Sequence, residues 1–477
     1  MQAGFFSTDI TPPIGTMQAG NYSPQYLTGI AGALKVRAAV FEQDGFLTGF
    51  AGVDCCALSK ETIALALDFA AEKGGLKLDH YIISASHTHS ASAVSAFFDL
   101  ELLKKADAKV RDLLKDSPVP DSWLTDWVVR QLGTALIMAF RNLEPALLNI
   151  GSGEEAAMIF NRRFFLKDGR AYTHPGHMNP DIVKAAGPID PQVGVIGAWR
   201  SDGTLIGCLL NYSCHGTTYS GHLAHADWYH YAEETIQKLF GNSSGVVLLN
   251  GPCGDVTQVN NLAWNNDFGL ECSYKLGFRV AAEAAKVLVS APKHPYSVLA
   301  GQSEILPLPR RQPTLESLAK AWETVTLMAD NPGVGDAVFA RERLIAGELA
   351  RLEPIRSLPL TAIQIGSAVL LSTPAEYFTS LSLRIKKTTV FPTCMVVELA
   401  NDCVGYVPDA EAFDPKTGGG YETVLTGYSN LVPEAGDRIA NKLLELAGRL
   451  SPEEIPTPTP KEPGQLWDYG RRGPDLQ

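Results

Sequence analysis

The sequence lacks an excess of positive charge and long apolar runs. Lys and Arg total 40 against 52 Asp and Glu, which gives a formal net charge of −12. Nucleic acids and anionic membrane surfaces attract clustered Lys and Arg, so this balance argues against nucleic acid as a partner. Because no apolar stretch is long enough to span a bilayer, we also expect no stable membrane anchoring.

Paired-cysteine motifs and a secretory signal are also missing. The eight cysteines have no CxxC spacing and lie mostly in apolar runs, which favours reduced, buried thiols. The start, MQAGFFSTDITPPIG, has no basic region followed by an apolar one. Both features predict a cytoplasmic protein. Cys214 adjoins His215, but alternation along a strand would turn it away from whatever His215 faces.

Short β-branched runs alternate with helical stretches along most of the chain. This alternation predicts a mixed α/β (α+β) fold with central β-sheets flanked by helices. Residues 314–351 form a charged helical segment broken at Asn331-Pro332-Gly333, which we interpret as a helical insertion. A Pro-rich tail occupies residues 451–477, so residues 1–450 are expected to form one folded domain.

Histidines follow an apolar run in Ser86-His87-Thr88-His89-Ser90. If the backbone is extended there, His87 and His89 point to the same face. Two imidazoles on one face can share a metal ion or a bound water. A pair of surface histidines is the alternative interpretation.

A second cluster surrounds His215, which ends another apolar run. Four of the ten histidines (His215, His222, His225 and His230) fall within sixteen residues, together with Asp227. Clustering of this kind favours a metal site, although His222 and His225 are also compatible with polar loop roles.

A third strand end carries the glycine-rich turn Asn250-Gly251-Pro252-Cys253-Gly254-Asp255-Val256-Thr257. Such a turn offers backbone N–H groups to an oxyanion and the Asp255 carboxylate to a metal, a helix N-terminus or a histidine. An ordinary tight turn is the alternative. Two further strand ends, residues 373–378 and 401–408, carry no distinctive signal by themselves.

In their order along the chain, these segments resemble the catalytic N-terminal domain of the neutral/alkaline (non-lysosomal) ceramidase family. The matching stretches are DITPP at 9–13, GVD at 52–54, SHTHS at 86–90, NR at 161–162, CHGT at 214–217, AD at 226–227, CGDV at 253–256, PAE at 374–376, LANDCVGY at 399–406 and GGYE at 419–422. The set runs from residue 9 to residue 422 and so covers nearly the whole expected domain.

The resemblance implies a hydrolase with one Zn²⁺ per chain, bound where strands end. The implied zinc ligands are His87, His215, Glu376 and Tyr406. The implied catalytic residues are His89 and Arg162, which would contact the attacking water and the carbonyl oxygen. Possible supporting residues are Asn161, Asp227, Asp255, Thr257 and Asn401.

The implied reaction is hydrolysis of an amide bond in a small molecule by a metal-activated water. The polar and aromatic residues around the motifs, such as His174, His177 and Trp228, favour a small or polar substrate over a long acyl chain. Cleavage of an ester, lactone or glycosidic bond in a carbohydrate-like substrate is the alternative, since a fold does not fix the chemistry. A non-catalytic, zinc-stabilised binding protein is the third possibility. The oligomeric state stays open.

Overall fold

Three mixed β-sheets form the centre of the protein in a computed structural model that describes residues 1–96, 98–333, 335–454, 464 and 469–477. The first sheet has the strand order His80–Ala85, Phe46–Val53, Lys35–Gln43, Gln2–Asp9, Glu144–Pro145. The second has the order Gly245–Asn250, Leu205–Tyr212, Gln192–Trp199, Leu147–Glu154. The third has the order Leu299–Pro309, Ile355–Ile365, Ala368–Ser372, Thr393–Val397.

Each of these sheets contains one parallel pair among antiparallel neighbours. The parallel pairs are 46–53 with 80–85, 205–212 with 245–250, and 368–372 with 393–397. Ligand sites in sheets with parallel strands form beyond the carboxyl ends of those strands. Most of the motifs identified in the sequence directly follow these ends, so the topology brings distant parts of the chain to one place.

Shorter strands pair with one another in the loops beyond the carboxyl ends of these parallel strands. They pair as Met17–Gln18 with Gln25–Tyr26, Gly29–Ile30 with Leu223–Ala224, Phe160–Asn161 with Val256–Thr257, Glu376–Tyr377 with Tyr406–Val407, and Arg163–Leu166 with both Ala171–Thr173 and Ile182–Ala185.

Helices cover the outer faces of the sheets. The α-helices are Lys60–Gly74, Leu100–Leu103, Ala108–Leu113, Ser122–Arg141, Trp228–Phe240, Leu270–Ser290, Leu315–Leu327, Gly335–Leu352, Thr379–Thr388 and Ala435–Ala447, with short 3₁₀ turns at Leu114–Asp116, Ala410–Phe413 and Tyr421–Thr423. Helices 60–74 and 122–141 share a core with the first sheet, 228–240 and 270–290 with the second, and 379–388 and 435–447 with the third. The predicted mixed fold with flanked sheets is confirmed.

A common core joins the three sheets. Phe50 of the first, Leu209 of the second and Leu370 of the third belong to one buried apolar cluster. The first two sheets approach closely at Gly52, where a Cβ atom would lie 2.2 Å from the carbonyl oxygen of Leu248. Only glycine permits this contact, which gives the GVD motif a packing role.

The predicted helical insertion consists of helices 315–327 and 335–352, which connect the antiparallel strands 299–309 and 355–365. In the predicted tail, 451–477, residues 455–463 and 465–468 lie outside those described, and the domain boundary near residue 450 stays a prediction. Among the described residues, no helix combines the length and apolar character needed to cross a membrane.

Candidate metal centre and active site

The turn after strand 80–85 decides where the histidines of the SHTHS motif point. His87 has a φ of 60°, in the left-handed region, so the expected extended backbone is wrong. A hydrogen bond of 3.0 Å from the His87 N–H to the Cys55 carbonyl holds this turn. It still brings the two imidazoles together, with ring centroids 4.9 Å apart and Nε2 atoms of His87 and His89 3.4 Å apart.

Two backbone carbonyls set the tautomers of His87 and His215. The Nδ1 of His87 lies 2.8 Å from the carbonyl oxygen of Cys56, and the Nδ1 of His215 lies 2.7 Å from that of Cys253. A carbonyl oxygen only accepts, so both Nδ1 atoms carry hydrogen and the neutral rings present Nε2 lone pairs. These two Nε2 atoms lie 3.2 Å apart. Facing lone pairs repel unless positive charge lies beside them.

Glu376 directs a carboxylate oxygen to the same point. Its Oε2 lies 3.2 Å from Nε2 of His87 and 3.6 Å from Nε2 of His215, and all three side chains are buried. The ligand atoms of these residues lie within 4.8 Å of one another, so the three side chains could hold one metal ion. Two imidazoles and a carboxylate are a donor set that suits zinc.

Electrostatics at this point favour a cation. Burial would lower the pKa of His87, but the charges of Cys56 and Glu376 raise it well above its usual value. Burial and the charge of Arg162 lower the pKa of His215 to about 3, so that ring is neutral at neutral pH. The carboxylate therefore attracts positive charge, and His215 keeps its lone pair.

Tyr406 reaches the same place through a short parallel strand pair in which it lies directly opposite Glu376. Its hydroxyl is 2.6 Å from the hydroxyl of Tyr421. Burial raises the pKa of Tyr406 well above its usual value, and the charge of Glu376 raises it further. The phenol thus stays protonated unless a cation lies beside it. All four residues predicted as metal ligands come together; their role as ligands stays a prediction.

Arg162 lies beside the metal-ligand candidates and is held on several sides. Its Nε donates to Glu422 at 2.8 Å, and one terminal nitrogen donates to the Gly254 carbonyl at 2.7 Å and to the Tyr421 hydroxyl at 2.9 Å. The other terminal nitrogen lies 3.4 Å from Nε2 of His215. The guanidinium is therefore fixed with one end next to the candidate metal position.

His89 is the second histidine predicted to be catalytic. Burial and the charges of His87 and His215 lower its pKa well below the usual value. Its side chain lines both cavities that meet at the site. One extends past Glu376 towards helix 335–352, and the other contains Arg162, Thr217 and Thr257. His89 therefore has access to a molecule in either cavity.

The predicted supporting residues hold the loops of the site. Asn161 donates to the Asp255 carboxylate at 2.7 Å, and Asp255 in turn accepts from the backbone of helix 379–388. Thr257 lines the second cavity. Asp227 caps the helix Trp228–Phe240, and Asn401 accepts from the Ile83 N–H and donates to the Tyr81 carbonyl of strand 80–85. These contacts give each of them a structural part.

Sequence reasoning assigned no role to Tyr421 and Glu422, although their motif was noticed. Glu422 is fully buried and pairs with Arg162, while Tyr421 bridges Arg162 and Tyr406. The two consecutive glycines before them, Gly419 and Gly420, could have predicted a tight turn that brings these side chains to the site. Both glycines have positive φ in the structure.

Two solved structures share this architecture. Neutral ceramidase from Pseudomonas aeruginosa superposes with a TM-score of 0.70 at 19% sequence identity, over 96% of this chain and 76% of that one. A ceramidase complexed with C2 superposes with a TM-score of 0.68 at 18% identity, over 96% and 77% of the two chains.

The chain has the neutral ceramidase fold. The resemblance inferred from the motifs is thus confirmed at the level of the fold. No protein-family model matches the sequence, and no curated protein matches it either. At such low sequence identity a shared fold does not identify the substrate, so the chemistry has to be argued from the site.

Proposed function

We propose that this protein is a zinc-dependent hydrolase that cleaves an amide bond of a small molecule. One observation carries the proposal: two imidazole nitrogens with carbonyl-fixed tautomers and one buried carboxylate oxygen converge at distances of 3.2 to 3.6 Å from one another. Such a cluster needs positive charge beside the carboxylate, which either a proton on His87 or a bound cation supplies, and a cation would be bound by both Nε2 lone pairs. We choose a C–N bond as the target because both solved structures that share this fold are ceramidases, and the substrate panel below tests that choice.

His87, His215, Glu376 and Tyr406 would hold one zinc ion. Bound there, zinc supplies a water that ionises near neutral pH and a Lewis acid for the substrate carbonyl. The backbone carbonyls of Cys56 and Cys253 keep both imidazoles in the ligating tautomer, and such supporting hydrogen bonds also raise ligand basicity.

Arg162 stabilises the negative charge that develops on the carbonyl oxygen. Its side chain is already oriented by Glu422, Gly254 and Tyr421, so little reorganisation is needed during the reaction. A preorganised donor of this kind typically contributes about 3 kcal/mol to transition-state stabilisation.

His89 accepts a proton from the attacking water and delivers it to the leaving amine. Its position between the two cavities places it beside both groups. The lowered pKa of His89 keeps its ring neutral, so the ring can accept the proton from the water and gives it up readily to the amine. Since all eight cysteines are buried free thiols, we place the protein in the cytoplasm.

The experiment combines metal analysis with a substrate panel. Purified protein should contain about one zinc per chain, and His87→Ala and His215→Ala should lose most of it. His222→Ala is the matched control, because His222 binds Gln18 away from the cluster and should keep the metal.

N-acyl amides, esters and glycosides are then assayed with and without a chelator. We expect amide cleavage that chelation abolishes and zinc restores. Cleavage of only esters, lactones or glycosides would replace the amide proposal with the alternative chemistry. Zinc at one equivalent in His87→Ala would refute the ligand set, and a zinc-bound protein inactive on the whole panel would favour a binding role.

A further inference from the structure

The first cavity leads from the metal-ligand candidates to a charged end. Its near wall contains His87, Glu376 and Tyr406, and its far wall contains Arg341 and Glu342 from helix 335–352 of the insertion. Its cavity volume is about 90 Å³, and it opens to solvent. The insertion therefore contributes a pair of ionisable side chains to the space in which a substrate would lie.

Tyrosine rings form the middle of this cavity. The ring of Tyr428 lies 6.4 Å from that of Tyr406 and 6.2 Å from that of Tyr22. Tyr22 in turn contacts the inserted helix, since its carbonyl accepts a hydrogen bond of 2.6 Å from Arg341. Tyr428 and Tyr22 thus connect Tyr406 to Arg341 along the cavity.

Arg341 has more hydrogen-bond donors than acceptors around it. Its side chain is 3% exposed, and its two terminal nitrogens donate to the carbonyls of Asp116 and Tyr22. Within the described part of the chain its Nε has no acceptor. A guanidinium carries five N–H groups, so three of them remain for a ligand.

Glu342 does not complete the pairing. Its Oε1 forms an ion pair with the Nε of Arg341 at 3.6 Å, which is too long for a hydrogen bond, and its Oε2 accepts from the backbone N–H of Gly427. Burial raises the pKa of Glu342, while the charge of Arg341 and the backbone N–H of Gly427 lower it. A buried guanidinium without a full set of acceptors favours an anionic ligand and disfavours an alkyl chain.

We propose that this cavity binds the acyl part of the substrate and that Arg341 binds a carboxylate at the far end of that acyl group. The inference rests on the proposed function, because it takes the scissile carbonyl to lie at the metal. The substrate class is then amides of dicarboxylic acids, and the test below locates the best chain length. If Arg341 only held helix 335–352 in place, its two hydrogen bonds to carbonyls would be enough, and its remaining N–H groups would have no acceptor.

The test measures ligand binding to the zinc-loaded full-length protein by calorimetry. Glutarate and pentanoate have the same chain length and differ only in the far carboxylate, and both resemble a released acid. We expect glutarate to bind at least about tenfold more tightly, as charge-assisted hydrogen bonds require. Succinate and adipate then locate the best length.

Arg341→Gln should remove this preference and leave pentanoate binding within about threefold. Arg343→Gln, two residues further along the same helix and outside the cavity lining, is the matched control and should keep it. If Arg341→Gln does not fold, Arg341→Lys retains the charge without the fork and should keep only part of the preference. Equal binding of both acids, or a preference that survives in Arg341→Gln, would overturn the proposal.

Hydrolysis assays separate this inference from the proposed function. Cleavage of acetyl and pentanoyl amides together with equal binding of glutarate and pentanoate would refute the Arg341 site alone. An Arg341-dependent glutarate preference in a protein that cleaves no amide would instead refute the amide hydrolase and retain the carboxylate site.

Discussion

Glu398 links the backbone segments behind two of the metal-ligand candidates. Its Oε2 accepts from the backbone N–H of Cys253 at 2.9 Å and from that of Tyr377 at 3.1 Å, and its Oε1 lies 3.2 Å from Nδ2 of Asn250. The carbonyl of Cys253 orients His215, and Tyr377 follows Glu376. Burial raises the pKa of Glu398 to about 8.

This raised pKa predicts that stability falls as the pH rises. The folded protein keeps the Glu398 proton up to about pH 8, whereas the unfolded chain loses it near 4.5. Protonated Glu398 therefore makes its full contribution to the free energy of unfolding below the pKa of the unfolded chain. This contribution is lost as the pH rises through the pKa of the folded protein. Integration of this linkage gives a loss of about 3.5 kcal/mol between about pH 5 and about pH 8.

Glu398→Gln should remove this contribution, because glutamine has nearly the same shape and does not titrate. The amide of Asn250 can turn its oxygen, which lacks a partner within the described residues, towards the new NH₂ group. The assay is urea unfolding of wild type and variant across this pH range in the same metal state, so that titration of the metal site cancels in the difference. Glu323→Gln, at an exposed position, is the control.

The difference in unfolding free energy between wild type and Glu398→Gln should change by several kcal/mol in favour of the variant as the pH rises. A difference that stays constant within about 1 kcal/mol across the range would refute the argument. It would mean that Glu398 is ionised in the folded protein and is stabilised by its four donors, which include the Cys253 thiol.

Three further predictions concern the metal site and the reaction. Gly254→Ala should weaken zinc binding about 10- to 100-fold in a metal titration, because its Cβ would lie 2.5 Å from the carbonyl oxygen of Glu376. Gly335→Ala is the control and should leave zinc binding unchanged, because no atom lies near the added Cβ. Arg162→Met should lower kcat on the best amide substrate about 100- to 1,000-fold at unchanged zinc content. An increase in KM of the same size with kcat unchanged would instead mean that Arg162 acts in substrate binding. Chelation should lower the thermal unfolding temperature, as loss of a native-state ligand requires, and an unchanged unfolding curve in metal-free buffer would contradict a bound ion.

Periodicity and local motifs predicted much of this protein. The alternation of apolar strands and amphipathic helices is a local pattern, so the mixed fold and the inserted helices could be predicted from the chain itself. Proximity of His87 and His89 was also predicted, although the reason was wrong, since a left-handed turn and not an extended strand brings them together. Glu376 and Tyr406 carried no local signal and entered only through the ordered resemblance.

The sequence alone determined which side chains were available for a metal site and in which order they occur along the chain. Only the tertiary structure decided that His87, His215 and Glu376, separated by up to 289 positions, meet at one point, because the carboxyl ends of parallel strands from three sheets converge there. The carbonyl-fixed tautomers and the charged far end of the cavity are likewise contacts between distant segments. Contacts of this kind depend on packing across the whole core, which no local pattern encodes.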